Sequence, residues 1–166
     1  MRMLLVVPAL LSLLTACGQQ APQAAQGGNT AQPATAVAET PSADAMAAKR
    51  QVTRYFERIA ARDFARAHAF WADGGKSSGG SVADLKRAFE PYAKYAGTAG
   101  DPTEVKVSGD TAYIIVPATA EATIRKTGVM RDLSGMVYLK RSVAPKGGDA
   151  AAGDWRIWAV DLRRAH

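Results

Sequence analysis

The chain is nearly without cysteine: Cys17 is the only one in 166 residues. No internal disulfide can form, so whatever folds is held by packing alone. Histidine is almost as scarce, with only His68 and His166, too few for a histidine metal cluster. The sequence shows no Ser-His-Asp order, no metal-ligand spacing and no dinucleotide-binding glycine fingerprint. Neither a metal nor an organic cofactor is therefore expected. Residues 73–80 are rich in glycine, yet no glycine stands at the required place ahead of Gly75-Lys76-Ser77, so the phosphate-loop pattern fails. Long apolar runs are missing too. The stretch from Leu4 to Leu14 is interrupted by Pro8 and Ser12 and is shorter than the roughly 20 residues of a membrane-spanning helix.

What the N-terminus does have is order of another kind. Met1-Arg2-Met3 is a short basic start, the apolar stretch follows, and small residues lead to Cys17. That is the layout of an export signal. Leu14-Thr15-Ala16-Cys17 resembles the lipobox of bacterial lipoproteins: an aliphatic residue, two small residues, then cysteine. The resemblance implies cleavage ahead of Cys17, a diacylglyceryl group on its sulfur and a fatty acyl group, such as palmitate, on the new N-terminus. One acyl chain binds a membrane only marginally, whereas several anchor it. Gly18 stands where an aspartate tends to retain such proteins in the inner membrane. The expected address is therefore the periplasmic face of the outer membrane. The alternative is an ordinary secreted protein with a stray cysteine.

Residues 1–16 are read as the signal, residues 17–43 as the lipidated cysteine and a linker, and residues 44–166 as the folded domain. The linker is Gln, Ala, Pro, Thr and Gly, without an aromatic residue. It cannot bury enough apolar surface to offset its chain entropy. As a flexible coil it reaches roughly 25–30 Å. Arg2 and Glu39 are the only charges ahead of Asp44, so the net charge of +6 lies in the domain. A basic balance permits contact with anionic lipid or sugar. The expected compartment holds no nucleic acid, and none is expected as a partner.

The domain begins with helical spacing. Asp44 is a candidate cap for a helix ending near Ala61. Val52, Tyr55, Phe56 and Ile59 form one stripe. Arg50, Arg54, Arg58 and Arg62 recur every four residues and are expected to face solvent. After a break at Ala61-Arg62-Asp63, the residues Phe64, Ala67, His68 and Trp71 form a second stripe. His68 on an apolar face is most often a core residue; the functional reading is a base or ligand contact. Residues 73–80 read as a flexible loop. Ser81 and Asp84 form a capping box ahead of a third helix, residues 82–89.

Strand spacing follows. Residues 104–108 alternate, Gly109-Asp110 turns, and residues 111–123 are a long β-rich run in which Pro117 demands an edge or a bulge. Residues 136–141 and 154–162 are further strands, joined by a loop over residues 144–153. Helices first and about four antiparallel strands after them give an α+β fold with the helices on one face of the sheet. Val137 and Leu139 point one way, Met136 and Tyr138 the other. Trp155 and Ile157 are expected opposite Trp158, Val160 and Leu162. A second apolar face needs either a pocket or a partner subunit, for example a homodimer formed through the sheet.

The run from Val52 to Trp71, with Tyr55-Phe56, the Arg62-Asp63-Phe64 break and Ala65-Arg66-Ala67-His68, resembles the entry of NTF2-like (SnoaL-like) domains. Asp154-Trp155-Arg156-Ile157-Trp158 resembles their closing strand. The resemblance implies a curved sheet closed into a cone by helices, in a family of enzymes, binders and scaffolds. It makes Tyr55, His68, Trp71, Tyr92, Tyr113, Tyr138 and Trp158 candidate ligand-binding residues lining the cone. Catalytic members keep acid/base groups there. Here Glu121, Asp132 and Asp161 are the strand-region carboxylates, and no spacing pairs them with His68, so no catalytic residue is assigned. The expected role is non-catalytic, binding a small apolar ligand or an envelope protein. The alternatives are an enzyme of isomerase or hydrolase type and an envelope assembly scaffold.

Overall fold

Helix α1, Ala43–Ala60, starts two residues earlier than a cap at Asp44 implies. Ser42 is its cap, accepting the Ala45 N–H on Oγ at 3.1 Å. Asp44 is instead drawn sideways, accepting from Arg141 Nη2 at 2.7 Å and from Trp155 Nε1 at 3.0 Å. The computed structural model that shows this describes residues 41–78, 80–143 and 154–165. The export signal, Cys17, the linker up to residue 40, the loop of residues 144–153 and His166 lie outside the described residues.

The stripe of α1 is buried as spaced: Ala45, Ala48, Val52, Tyr55, Phe56 and Ile59. The helix stops because Arg62 adopts a left-handed backbone, φ 59°. The Asp63 N–H then reaches back to the Arg58 carbonyl and the Arg62 N–H to that of Ile59, a helix-ending pair of bonds that usually employs glycine. Arg62 is therefore not the fourth member of an outward row. Its guanidinium donates to the carbonyls of Phe89, Tyr92 and Ala93, fastening the end of the third helix. Arg50, Arg54 and Arg58 do face solvent.

Helix α2, Phe64–His68, is capped by Asp63. It ends before Trp71, whose place is taken by extended backbone: Trp71 bridges Ile157 in parallel, and the Ile157 N–H donates to Phe70. The expected loop contains a 3-10 segment, Asp73–Ser78, entered through three left-handed residues, Asp73, Gly74 and Gly75. Helix α3, Val82–Phe89, has the expected box, with Ser81 Oγ accepting the Asp84 N–H at 3.1 Å.

Among the described residues five strands follow: β1 Tyr92–Ala99, β2 Lys106–Ser108, β3 Thr111–Ile124, β4 Met130–Ser142 and β5 Arg156–Arg164. All pairings are antiparallel, in the order β1-β3-β4-β5, with β2 beside β3 on the flank that β1 leaves free. Strand β1 was not expected. A bulge between Tyr92 and Lys94 sets Tyr92 and Tyr95 three apart, a spacing that does not alternate. Pro117 sits where β1 has ended and β2 has not begun. Its carbonyl accepts from Gly100 at 2.7 Å on that flank, so the missing N–H interrupts no ladder.

A second correction concerns β5. The register slips between Tyr138 and Leu139, which pair with Ala159 and Ile157 and leave Trp158 as the extra residue. One extra residue reverses the alternation beyond it. Val160 and Leu162 therefore join Ile157 and Trp155 against the core, and only Trp158 is turned outward. The architecture is α+β, with the helices packed on one face of a curved antiparallel sheet, as the NTF2-like resemblance implied.

Candidate functional site

Strand β3 divides the domain into two faces. Ala112, Ile114, Val116, Ala118, Ala120 and Ala122 point at the helices and are buried. Tyr113, Ile115, Pro117, Thr119, Glu121 and Thr123 alternate with them and point away. The seven candidate residues divide along the same line. Tyr55, His68 and Trp71 lie on the helix side. Tyr92 is half-buried at its rim, against Phe89 and Tyr95. Tyr113, Tyr138 and Trp158 lie on the outer face and cannot line a cone.

On the helix side the space is occupied by rings. Tyr55, 2 % exposed, contacts Phe56 at 5.5 Å and Trp71 edge-on at 6.0 Å. Phe56 meets Tyr95, and Tyr95 meets Phe89 edge-on at 4.9 Å. Leu139, Ile157, Val116 and Val137 close the sheet side. Among the described residues no charged side chain is buried. His68 packs its Nε2 over Gly75, where a Cβ would stand 2.1 Å away. That nitrogen is buried without a partner, and Trp71 Nε1 likewise makes no well-formed hydrogen bond.

Two phenols respond to this packing. Burial pushes the Tyr55 hydroxyl far above its ordinary value of 10.0; Tyr95 adds to the shift and the Trp71 indole opposes it. Burial, then Tyr92, pushes Tyr95 up to about 12. Both stay protonated in the fold after an unfolded chain has lost those protons. Their contribution is complete below pH 10 and is lost as pH rises through the raised values, each by up to about 1.4 kcal/mol per pH unit. The urea midpoint is expected to fall between pH 10 and 12, and less steeply in a Tyr55→Phe/Tyr95→Phe double variant. Equal slopes would show that other groups govern the alkaline limb.

The outer face is different. Tyr113, Met136 and Trp158 are 38 %, 41 % and 39 % exposed. Tyr138 stacks obliquely on Trp158 at 5.9 Å, and Ile115 and Pro117 pair across the sheet with Tyr138 and Met136. Pro117, Thr119, Ser134 and Met136 border a groove of about 400 Å3. From the sequence, Met136 stands out only by its direction opposite Val137 and Pro117 only as a mark of an edge or bulge, while Ile115 carries no signal of its own. The signal that could have found them is the two-residue period starting at Tyr113. Of the three strand-region carboxylates, none reaches His68. Glu121 and Asp132 are exposed cross-strand partners on the outer face. Asp161 is clasped by Arg163 at 2.8 and 3.0 Å, which holds its carboxyl below the usual range.

A larger cleft of about 670 Å3 lies by α2 and α3, lined in part by Arg62, Lys86, Glu90 and Arg125. Its arginines are engaged. Arg62 holds the carbonyls named above, and Arg125 donates to those of Glu90 and Tyr92. Such a cleft is built as a brace for the end of α3.

No family model matches the chain, and no curated protein does. Solved structures do. A conserved protein from Planctomyces limnophilus DSM 3776 is 16% identical, with 74% of this chain and 98% of that chain covered and a TM-score of 0.52. A Kribbella flavida protein is 16% identical over 74% of this chain and 91% of its own, with a TM-score of 0.50. Likeness at such identities is of fold alone.

Proposed function

We propose that this chain is a non-catalytic protein-docking domain of the cell envelope, lipid-anchored through Cys17 at the periplasmic face of the outer membrane. One observation carries the docking reading: Tyr113, Tyr138, Trp158 and Met136 are gathered on the outer face of the sheet, away from the helices. Grouped exposed apolar residues of this kind mark contact surfaces, and aromatics and Met are enriched in them. The small-ligand reading is less favoured because aromatic rings occupy the helix side. An acid/base role lacks a buried carboxylate among the described residues. The anchor rests on Leu14-Thr15-Ala16-Cys17, and the choice of membrane on Gly18.

The test places a photo-crosslinking residue at Met136 of the full chain in intact envelopes, with Arg54 on the solvent side of α1 as the comparison position. The expected result is a discrete protein adduct from position 136 and none from position 54. Adducts from neither position, or from both alike, would overturn the docking reading. In the same cells Cys17→Ser is expected to leave the protein uncut and outside the membrane fraction. An unchanged distribution would remove the anchor.

A further inference from the structure

We propose that the tip of the β3–β4 hairpin, with the exposed side of α3 beside it, is a lipid-docking end that seats the domain on an anionic bilayer surface. This contact is separate from the outer-face docking above and rests on that reading only for the nearness of a membrane.

The apolar part comes first. Among the described residues Met130 is the most exposed large apolar side chain, at 66 %, and Val129 beside it is 50 % exposed. Both stand where β3 turns into β4, a place ordinarily given to polar residues. The turn is closed. Gly128, left-handed at φ 68°, donates its N–H to the Ile124 carbonyl, and the Ile124 N–H donates to that of Val129, each at 2.8 Å. These main-chain groups are paired within the turn, which lowers the cost of taking it out of water. The hairpin root is fixed to the end of α3: the Arg125 N–H donates to the Pro91 carbonyl at 2.8 Å, and its guanidinium to those of Glu90 and Tyr92. Val82, 39 % exposed, Lys86 and Arg125 border the cleft of about 670 Å3 described above. One end of the domain thus presents three exposed apolar residues.

Charge surrounds them. Arg62, Lys86, Lys94, Arg125, Lys126 and Arg131 form no ion pair among the described residues. Lys126 lies in the turn and is exposed. Lys94 shares the cross-strand row of Thr123 and Met130, and Arg131 pairs with Ala122 one row further in. Carboxylates are fewer. Asp63 is held by Arg58 and Arg66, and Asp84 by Arg87. Glu90 borders the cleft with Arg125, and the paired Glu121 and Asp132 stand two rows behind Met130, about 7 Å from the tip. Six unpaired cations therefore outnumber three unpaired carboxylates.

An anionic bilayer uses both features at once. Apolar tips enter the acyl boundary, while Lys and Arg stems reach the headgroups. An ordinary protein contact is depleted of lysine. The chain's course also permits this contact. Arg62 follows the last turn of α1, so the docking end lies at the far end of that helix from Pro41. At 18 residues α1 is about 27 Å long, within the roughly 25–30 Å that the linker reaches as a flexible coil. Anchor and docking end can hold one membrane.

The test places an environment-sensitive fluorescent amino acid at Met130 of the full chain, with Arg54 as the comparison position. Vesicles of phosphatidylcholine, alone or mixed with phosphatidylglycerol, are then added. Flotation reports whether a membrane holds the chain, and emission reports whether the tip enters it, so a failed anchor and a failed docking end are read separately. The expected result is a blue shift from position 130 with the mixed vesicles, little with phosphatidylcholine alone, and none from position 54. The shift is expected to weaken as salt is raised. Lys86→Gln/Lys126→Gln removes two charges and is expected to lower the docked-to-free ratio about 30-fold, with the urea midpoint of the parent. Val129→Ser is expected to lower it at least about fivefold. No shift from position 130, whether or not the chain floats, would overturn the proposal. So would a shift before vesicles are added, equal shifts with both kinds of vesicle or from both positions, or lysine variants that dock as the parent does.

Discussion

Replacing Gly135 by alanine is expected to destabilise the domain by about 3 kcal/mol or more, the upper part of what overpacking usually costs. Gly135 pairs with Ala118 on one side and Leu162 on the other, in the middle of β4. A Cβ there would stand 1.9 Å from the Asp161 carbonyl oxygen and 3.0 Å from its carbon. The obstacle is main chain in a paired strand, with no side chain to swing aside, so β5 must move. Moving β5 strains the bulge at Trp158 and the seats of Val160 and Leu162 against the core. Urea unfolding of the purified full chain, followed by tryptophan fluorescence, measures this. Ser134→Ala, next door on the exposed face, is the control and is expected within about 0.5 kcal/mol of the parent. An unmoved midpoint for Gly135→Ala would mean that β5 does not approach β4 so closely.

Tyr55→Ala comes next, at about 3–5 kcal/mol, the range for removing a large aromatic from a core. Tyr55 is held between Phe56 and Trp71 and is almost completely buried. Removing its ring leaves an apolar void facing the sheet. Tyr55→Phe keeps the ring and gives up a buried hydroxyl whose neighbour is the Trp71 indole, so a change within about 1 kcal/mol is expected. The pair of variants separates filling from polarity. If Phe were as damaging as Ala, the hydroxyl would be holding the core. If neither mattered, the helix side would not be filled by this ring. A void of that kind admits a small aromatic solute, so benzene is expected to restore part of the stability of Tyr55→Ala and none of the parent's.

The helical half was legible because its signals are local. The α1 stripe, the Asp63 break and the Ser81–Asp84 box each lie within a few residues and came out as spaced. The first cap was misplaced by two residues because Asp44 and Ser42 are both good caps. Only the distant Arg141 and Trp155 decide that the carboxylate goes elsewhere. The strands were legible where alternation is unbroken, as along β3, and Pro117 correctly announced a gap in pairing. They failed at bulges. One extra residue hid β1 near Tyr92, and another at Trp158 sent Val160 and Leu162 to the wrong face. The candidate aromatics were therefore found as residues and not as sides. Tyr113, Tyr138 and Trp158 could be assigned outward only once register was known. Glu121 and Asp132 are separated by a turn in sequence and adjacent only in the sheet.

The Asp44 contacts have a mechanical consequence. A pull on the chain ahead of Pro41 enters the domain at the start of α1. A helix loaded at its first turn would ordinarily be drawn off turn by turn. Here the first turn is bolted by one carboxylate to Arg141 near the end of β4 and to Trp155 just ahead of β5, with the Arg141 guanidinium lying over the Trp155 ring at 5.0 Å. Tension is divided at once among a helix and two neighbouring strands. They must shear together instead of peeling singly, so the end of the domain at which the chain enters α1 is also the end reinforced against load.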